Sequence, residues 1–106
     1  MRQKLNLITF GVRDFQKALD FYENGLGWKK SSANTDDMAL FPLGGITLSL
    51  YPRKLLADEA EINDQGSGFP GITLSYNAKS EAEVNEVLKE VEKLGAEITK
   101  PAQAAF

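Results

Sequence analysis

With 106 residues, 42% hydrophobic and 25% charged, the chain is long enough for one globular domain with a modest core. It contains no histidine and no cysteine, which excludes disulfides, thiolate chemistry, a Ser-His nucleophile and the commonest transition-metal ligand. A net charge of −3 without a basic cluster argues against nucleic acid as a partner. No apolar run approaches the roughly 20 residues that span a bilayer, so the expected setting is the cytoplasm, away from membranes.

Leu5 to Val12 is rich in β-favouring apolar residues and reads as a strand. Asp14 then offers a carboxylate to cap a helix, and Phe15, Ala18, Leu19 and Tyr22 recur at helical spacing to make one apolar face. Asn24-Gly25 and Gly27 stop that helix, and Trp28 to Ser32 is expected to be a second strand leading into a polar turn over 31–37. Met38 to Leu43 and Ile46 to Tyr51 flank Gly44-Gly45, a two-residue hairpin signal. That turn sets Leu43 against Ile46, Phe41 against Leu48 and Ala39 against Leu50 on one sheet face. Thr47, Ser49 and Tyr51 then lie on the other.

Residues 52–70 form a charged connector in which Arg53 to Ala60 has the length for a helical turn or two. A solvated linker is the first reading, and a lid over a pocket the sharper one. Beyond it the opening pattern returns. Ile72-Thr73-Leu74 matches Ile8-Thr9-Phe10, Ser80 to Glu83 is a capping box in which Glu83 reaches back to the Ser80 amide, and Leu94-Gly95-Ala96 mirrors Leu26-Gly27-Trp28. Val84, Val87, Leu88 and Val91 supply the stripe, with Ile72, Leu74 and Tyr76 expected to face it. Glu97 to Thr99 starts a strand that Pro101 breaks. The second unit thus has fewer strands than the first, and the expectation is that the fold continues past Phe106, pairing with another chain being the alternative.

The chain resembles the vicinal oxygen chelate superfamily of glyoxalases, bleomycin- and fosfomycin-resistance proteins and extradiol dioxygenases. The resemblance is carried by Leu7 to Asp14, Phe21-Tyr22, Gly25 to Trp28, Gly44 to Leu48, Gly71 to Leu74 and Leu94 to Ala96. It implies an α+β fold of paired βαβββ modules, whose curled mixed sheets form a cleft, usually within a homodimer. On that pattern module one covers about 4–51, 52–70 is the linker and 71–106 is an incomplete module two. Metal-dependent members of the family place His or Glu ligands on the first and fourth strands of each module. Here those positions hold Leu7, Ser49 and Gly71, so no metal and no other cofactor is expected.

Strand alternation puts Thr9, Thr47, Ser49, Tyr51, Thr73 and Ser75 on the face opposite the helices. Residue pattern alone favours a solvent-facing surface there, where threonine is simply a good strand residue. The resembled fold makes the same face a ligand cleft, in which hydroxyls would hold a small polar or aromatic molecule. Tyr22, Phe21 and Trp28 read as core, and Asp36-Asp37 and Asp58-Glu59 as solvated acids. The expected function is metal-independent binding of a small molecule by a homodimer. A lyase or dioxygenase with an atypical site, or a non-catalytic dimerisation module, are the alternatives.

Overall fold

The sheet grows outward from the Gly44-Gly45 turn. In the computed structural model, which describes residues 1–70 and 72–104, β2 (Ala39–Pro42) and β3 (Thr47–Pro52) form the expected antiparallel hairpin. Ala39 pairs with Leu50 and Phe41 with Leu48, and the Leu43 N–H donates to the Ile46 carbonyl at 2.8 Å. Gly44 sits at φ +90° while Gly45 does not take positive φ, so a single glycine meets the turn's backbone demand. β1 (Leu7–Val12) lies parallel to β3 on its other side, giving the order β1-β3-β2.

The crossover between the parallel strands carries α1 (Phe15–Asp20), which starts at the expected cap: the Asp14 carboxylate accepts the Lys17 N–H at 3.0 Å. The helix widens into a π-helical turn at Phe21–Gly25, where the Leu26 N–H bonds the Phe21 carbonyl. Gly27, at φ +72°, lets the Trp28 N–H return to the Tyr22 carbonyl at 2.9 Å and ends it. Phe15, Ala18, Leu19, Tyr22 and Trp28 pack on a buried cluster of Ala39, Phe41, Leu48 and Leu50. Burying each large member of that cluster is worth roughly 1.5–3 kcal/mol, so this face holds the sheet together. The Tyr22, Trp28 and Phe41 rings meet at centroid distances of 5.3, 5.9 and 6.1 Å.

Residues 28–32 are not the expected strand. The Ser31 N–H reaches the Leu40 carbonyl at 2.7 Å, but the contact does not repeat into a ladder, and Lys30 turns aside to pair with Glu23 at 3.2 Å. The sheet therefore has three strands where a βαβββ module has four. Asp36-Asp37 does form a polar turn, with Thr35 bridged to Met38 and the Thr35 hydroxyl donating to Asp37 at 3.0 Å. After β3 comes α2 (Arg53–Ala60), followed by Glu61 in the left-handed region at φ +56°.

The chain divides into two compact units, Met1–Gly66 and Ser67–Phe106, so the boundary falls inside the 52–70 connector. In the second unit α3 (Glu81–Lys93) is capped by Ser80, whose hydroxyl accepts the Glu83 N–H at 3.1 Å. The Glu83 carboxylate accepts from the Lys79 N–H at 2.9 Å, one residue earlier than the Ser80 amide of a standard capping box. Gly95 at φ +102° and the Ala96 N–H on the Val91 carbonyl repeat the stop made by Gly27 and Trp28. The two stops share the positive-φ glycine, but the returning N–H spans six residues after the π-helical turn and five after α3.

The strand does not repeat. Residues 72–76 and 97–99 form no strand, and Ile72, Leu74 and Tyr76 are exposed. A strand exists only where a neighbour completes its backbone hydrogen bonds, and among the described residues nothing pairs with these segments. The expected second sheet, and the cleft between two curled sheets, are therefore not seen among the described residues. Gly71, the expected start of that strand, lies outside them. Among the described residues no helix is long and apolar enough to cross a membrane.

Candidate functional site: the sheet face beneath the second helix

Pleating puts Leu7, Thr9 and Gly11 of β1 with Thr47, Ser49 and Tyr51 of β3 on the face turned away from the aromatic core. That face is not simply open to solvent, because α2 packs against β1 and β3. The close point is Gly11: a Cβ there would lie 3.0 Å from Arg53 Cα and 3.1 Å from Leu56 Cδ2. A side chain at this position would be tighter than ordinary packing, and the helix would have to give by a few tenths of an ångström. Sequence reasoning left Gly11 without a role, although a glycine inside a strand is itself a signal of close approach by another segment.

Thr9 and Ser49 are register partners across the parallel pair, with Leu40 opposite Ser49 on β2. Thr9 is exposed and Thr47 half-buried, whereas Ser49 is only 1% exposed and its Oγ has no hydrogen-bond partner among the described residues. A buried hydroxyl without a partner is costly and uncommon, which makes Ser49 the most informative atom of the face. Tyr51, half-buried, donates its hydroxyl to Glu59 Oε1 of α2 at 3.2 Å. Its pKa is raised, first by loss of solvent around the ring, then by the charge and hydrogen bond of Glu59 and by Asp37.

Two arginines tie down the chain after α2. Arg53 Nε pairs with Asp64 Oδ1, and Arg13 Nη2 donates to the Gly66 carbonyl at 3.0 Å. The expected site residues fall in both units. Thr9, Thr47, Ser49 and Tyr51 share one sheet face, while Thr73 and Ser75 belong to the other unit, on an exposed stretch outside any strand. In that second unit a shallow groove along α3 is lined by Tyr76, Glu83, Val87, Glu90 and Leu94. The Tyr76 hydroxyl donates to Glu83 at 3.2 Å, and this hydrogen bond is the first cause of its raised pKa.

The donors present do not fit a catalytic metal. Leu7 supplies none, Ser49 supplies one neutral hydroxyl, and Gly71 lies outside the described residues. Among the described residues no three acidic side chains converge to hold an ion.

A three-stranded mixed sheet with a parallel β1–β3 pair, one helix in the crossover and a hairpin partner defines the class of fold. Over residues 4–106 the sequence matches the family model described as the Glyoxalase/Bleomycin resistance protein/Dioxygenase superfamily, and the chain belongs to that superfamily. Among solved structures it is similar to a glyoxalase-related enzyme from Fulvimarina pelagi, with TM-score 0.84 and 22% identity over 98% of this chain and 73% of that one. A hypothetical protein from S. aureus gives TM-score 0.81 and 20% identity, over 99% of this chain and 79% of its own. A glyoxalase/bleomycin resistance protein/dioxygenase from Nocardioides gives 0.71 and 20%, over 95% and 68%. At these identities the likeness is one of fold. A search of curated proteins gives no match.

Proposed function

We propose that this superfamily member binds a small molecule on the Thr9–Ser49 face of its sheet and does so without a catalytic metal, sequestering or sensing it as bleomycin-resistance proteins do. The observation that carries this reading is the Ser49 hydroxyl, buried and without a partner. A ligand atom that bonded it would recover the cost of leaving it unpaired. Thr9 and Thr47 add hydroxyls, Tyr51 a phenol, and Leu7 and Leu40 an aliphatic surface, a mixture suited to an apolar body with a few hydrogen-bonding atoms. Thermal-shift screening of small aromatic and polar compounds tests it. A compound that stabilises the protein in the presence of a chelator, and that loses about 1 kcal/mol of affinity in Ser49→Ala, supports the reading. Stabilisation that a chelator abolishes would overturn the metal-independent part.

The partner that fits the free edge of the sheet is a second copy of the chain. β1 is an edge strand in the order β1-β3-β2, with Leu7 exposed at its start and Leu5 exposed just before it. An uncovered edge bearing apolar side chains favours pairing with another strand. Sedimentation equilibrium checks this, and a monomer at tens of micromolar would sink it.

A further inference from the structure

The helix that closes the Thr9–Ser49 face is tied to its surroundings by exposed polar contacts, and we infer that α2, with the stretch that follows it to Gly66, is an opening cover over that face, an inference that rests on the small-molecule reading above. The two faces of the sheet are closed in different ways. On one, α1 and Trp28 pack onto the buried cluster of Ala39, Phe41, Leu48 and Leu50. On the other, α2, which like α1 contributes no fully buried residue, leaves Leu55 exposed and seats Leu56 and Arg53 against the Gly11 notch instead of against an aromatic cluster.

The remaining ties are polar and lie at the surface. Tyr51 holds Glu59, Arg53 holds Asp64, and Arg13 holds the Gly66 carbonyl. Exposed ties of this kind each contribute little. Glu61, a non-glycine residue at φ +56°, adds modest strain where the helix ends. Beneath the helix, closure leaves the Ser49 hydroxyl without a partner. Lifting α2 lets water or a ligand atom reach that hydroxyl. The closed state thus carries a cost inside and is held by a few bonds outside, which brings it near an open state in free energy. The row Thr9–Ser49–Leu40, in which opening uncovers Ser49, crosses all three strands and sets hydroxyls beside an aliphatic wall. It fits a small ligand with one or two hydrogen-bonding atoms on an apolar body.

Amide hydrogen exchange on the full chain, read beside the emission of its single tryptophan, Trp28, tests this. Trp28 reports the aromatic face and residues 53–60 report the cover. Asp64→Ala should speed exchange over 53–60 roughly two- to fivefold, the change expected for loss of one exposed ion pair, with Trp28 emission and β3 exchange unchanged. Anilinonaphthalene sulfonate fluorescence should rise with it. Because the chain has no cysteine of its own, Gly11→Cys with Arg53→Cys gives a lock that is read only by comparing its own oxidised and reduced forms, since both substitutions also disturb the seat and the Arg53–Asp64 tie. The two Cβ positions are 3.4 Å apart, close to the range a disulfide bridges after a small shift. The oxidised form should exchange slowly over 53–60 and bind little dye, and dithiothreitol should reverse both.

If exchange over 53–60 moves only together with β3 and Trp28, α2 is part of the cooperative core and the cover is overturned. Equal dye binding by locked and reduced forms also overturns it while leaving ligand binding intact. A cover that opens as described, with no dye or library compound stabilising any form, instead overturns the binding reading alone. Should the double variant fail to fold, the Asp64→Ala exchange pattern decides by itself.

Discussion

Thr9 and Ser49 are partners across the parallel β1–β3 ladder, yet Thr9 is open to solvent and Ser49 is sealed with its hydroxyl unpaired. Register guarantees that the two side chains point the same way. Their different exposure therefore reports what lies over the face, more complete toward the middle strand than at the edge. Ser49→Ala deletes the orphan oxygen at small cost in packing. It should raise stability by about 1 kcal/mol, the lower end of the penalty for an unsatisfied buried group. The urea midpoint should shift up with an unchanged slope. A fall in midpoint would mean that the hydroxyl has a partner in solution.

The aromatic face predicts the opposite sign. Phe41 is 1% exposed and touches both Tyr22 and Trp28, so Phe41→Ala should cost about 3–5 kcal/mol and shift Trp28 emission to the red. The residue pattern places Leu74 under α3, but it is 55% exposed and outside any strand. Leu74→Thr should accordingly stay within about 0.5 kcal/mol of the parent. Comparable losses for Phe41→Ala and Leu74→Thr would show that Leu74 is buried in solution.

These contrasts show which features were legible in the residues. The Asp14 cap, the Phe15–Tyr22 stripe, the Gly27 and Gly95 stops and the Ala39–Leu50 register all follow from local rules and appear as read, whereas Asn24-Gly25 continues the helix as part of its π-helical turn. Residues 28–32 and 72–76 have strand-like composition, but strand formation depends on a neighbour that composition does not reveal. The site was half legible. Alternation placed Thr9, Thr47, Ser49 and Tyr51 on one face, but it gave no sign that α2 would lie there. The missing signal was Gly11, whose absent side chain is the space α2 occupies.

Alkaline pH should weaken the fold through its tyrosines. Burial raises the Tyr22 pKa above its ordinary value, and loss of solvent with the Glu59 charge raises that of Tyr51. The unfolded chain then gives up these protons first. The corresponding stability is fully present below about pH 10 and is lost as pH rises through the folded-state values. Urea midpoints taken at intervals across this range should decline, with tyrosinate absorbance appearing as they do. Tyr22→Phe removes one titrating group and should flatten the decline. A decline of equal slope in that variant would mean that Tyr22 contributes nothing to it.

The hairpin turn gives the sharpest pair of substitutions. Gly44 and Gly45 look equivalent in sequence, and neither has another atom within 4 Å of a built Cβ, so sterics with neighbours do not separate them. Backbone conformation does. Gly44 is at φ +90°, where an L side chain is strained, and Gly45 is not at positive φ. Gly44→Ala should therefore destabilise by about 1 kcal/mol or more, while Gly45→Ala should be neutral or stabilise by roughly 0.4–1 kcal/mol through the unfolded chain. Because the turn sets the register, the loss in Gly44→Ala should come with faster exchange at Leu43, whose N–H closes the turn onto Ile46. Thermal melts of the two variants, run side by side, check the difference. If Gly45→Ala is the more damaging, the turn has the opposite handedness of glycine use, and the Phe41–Leu48 pairing built on it must be drawn again.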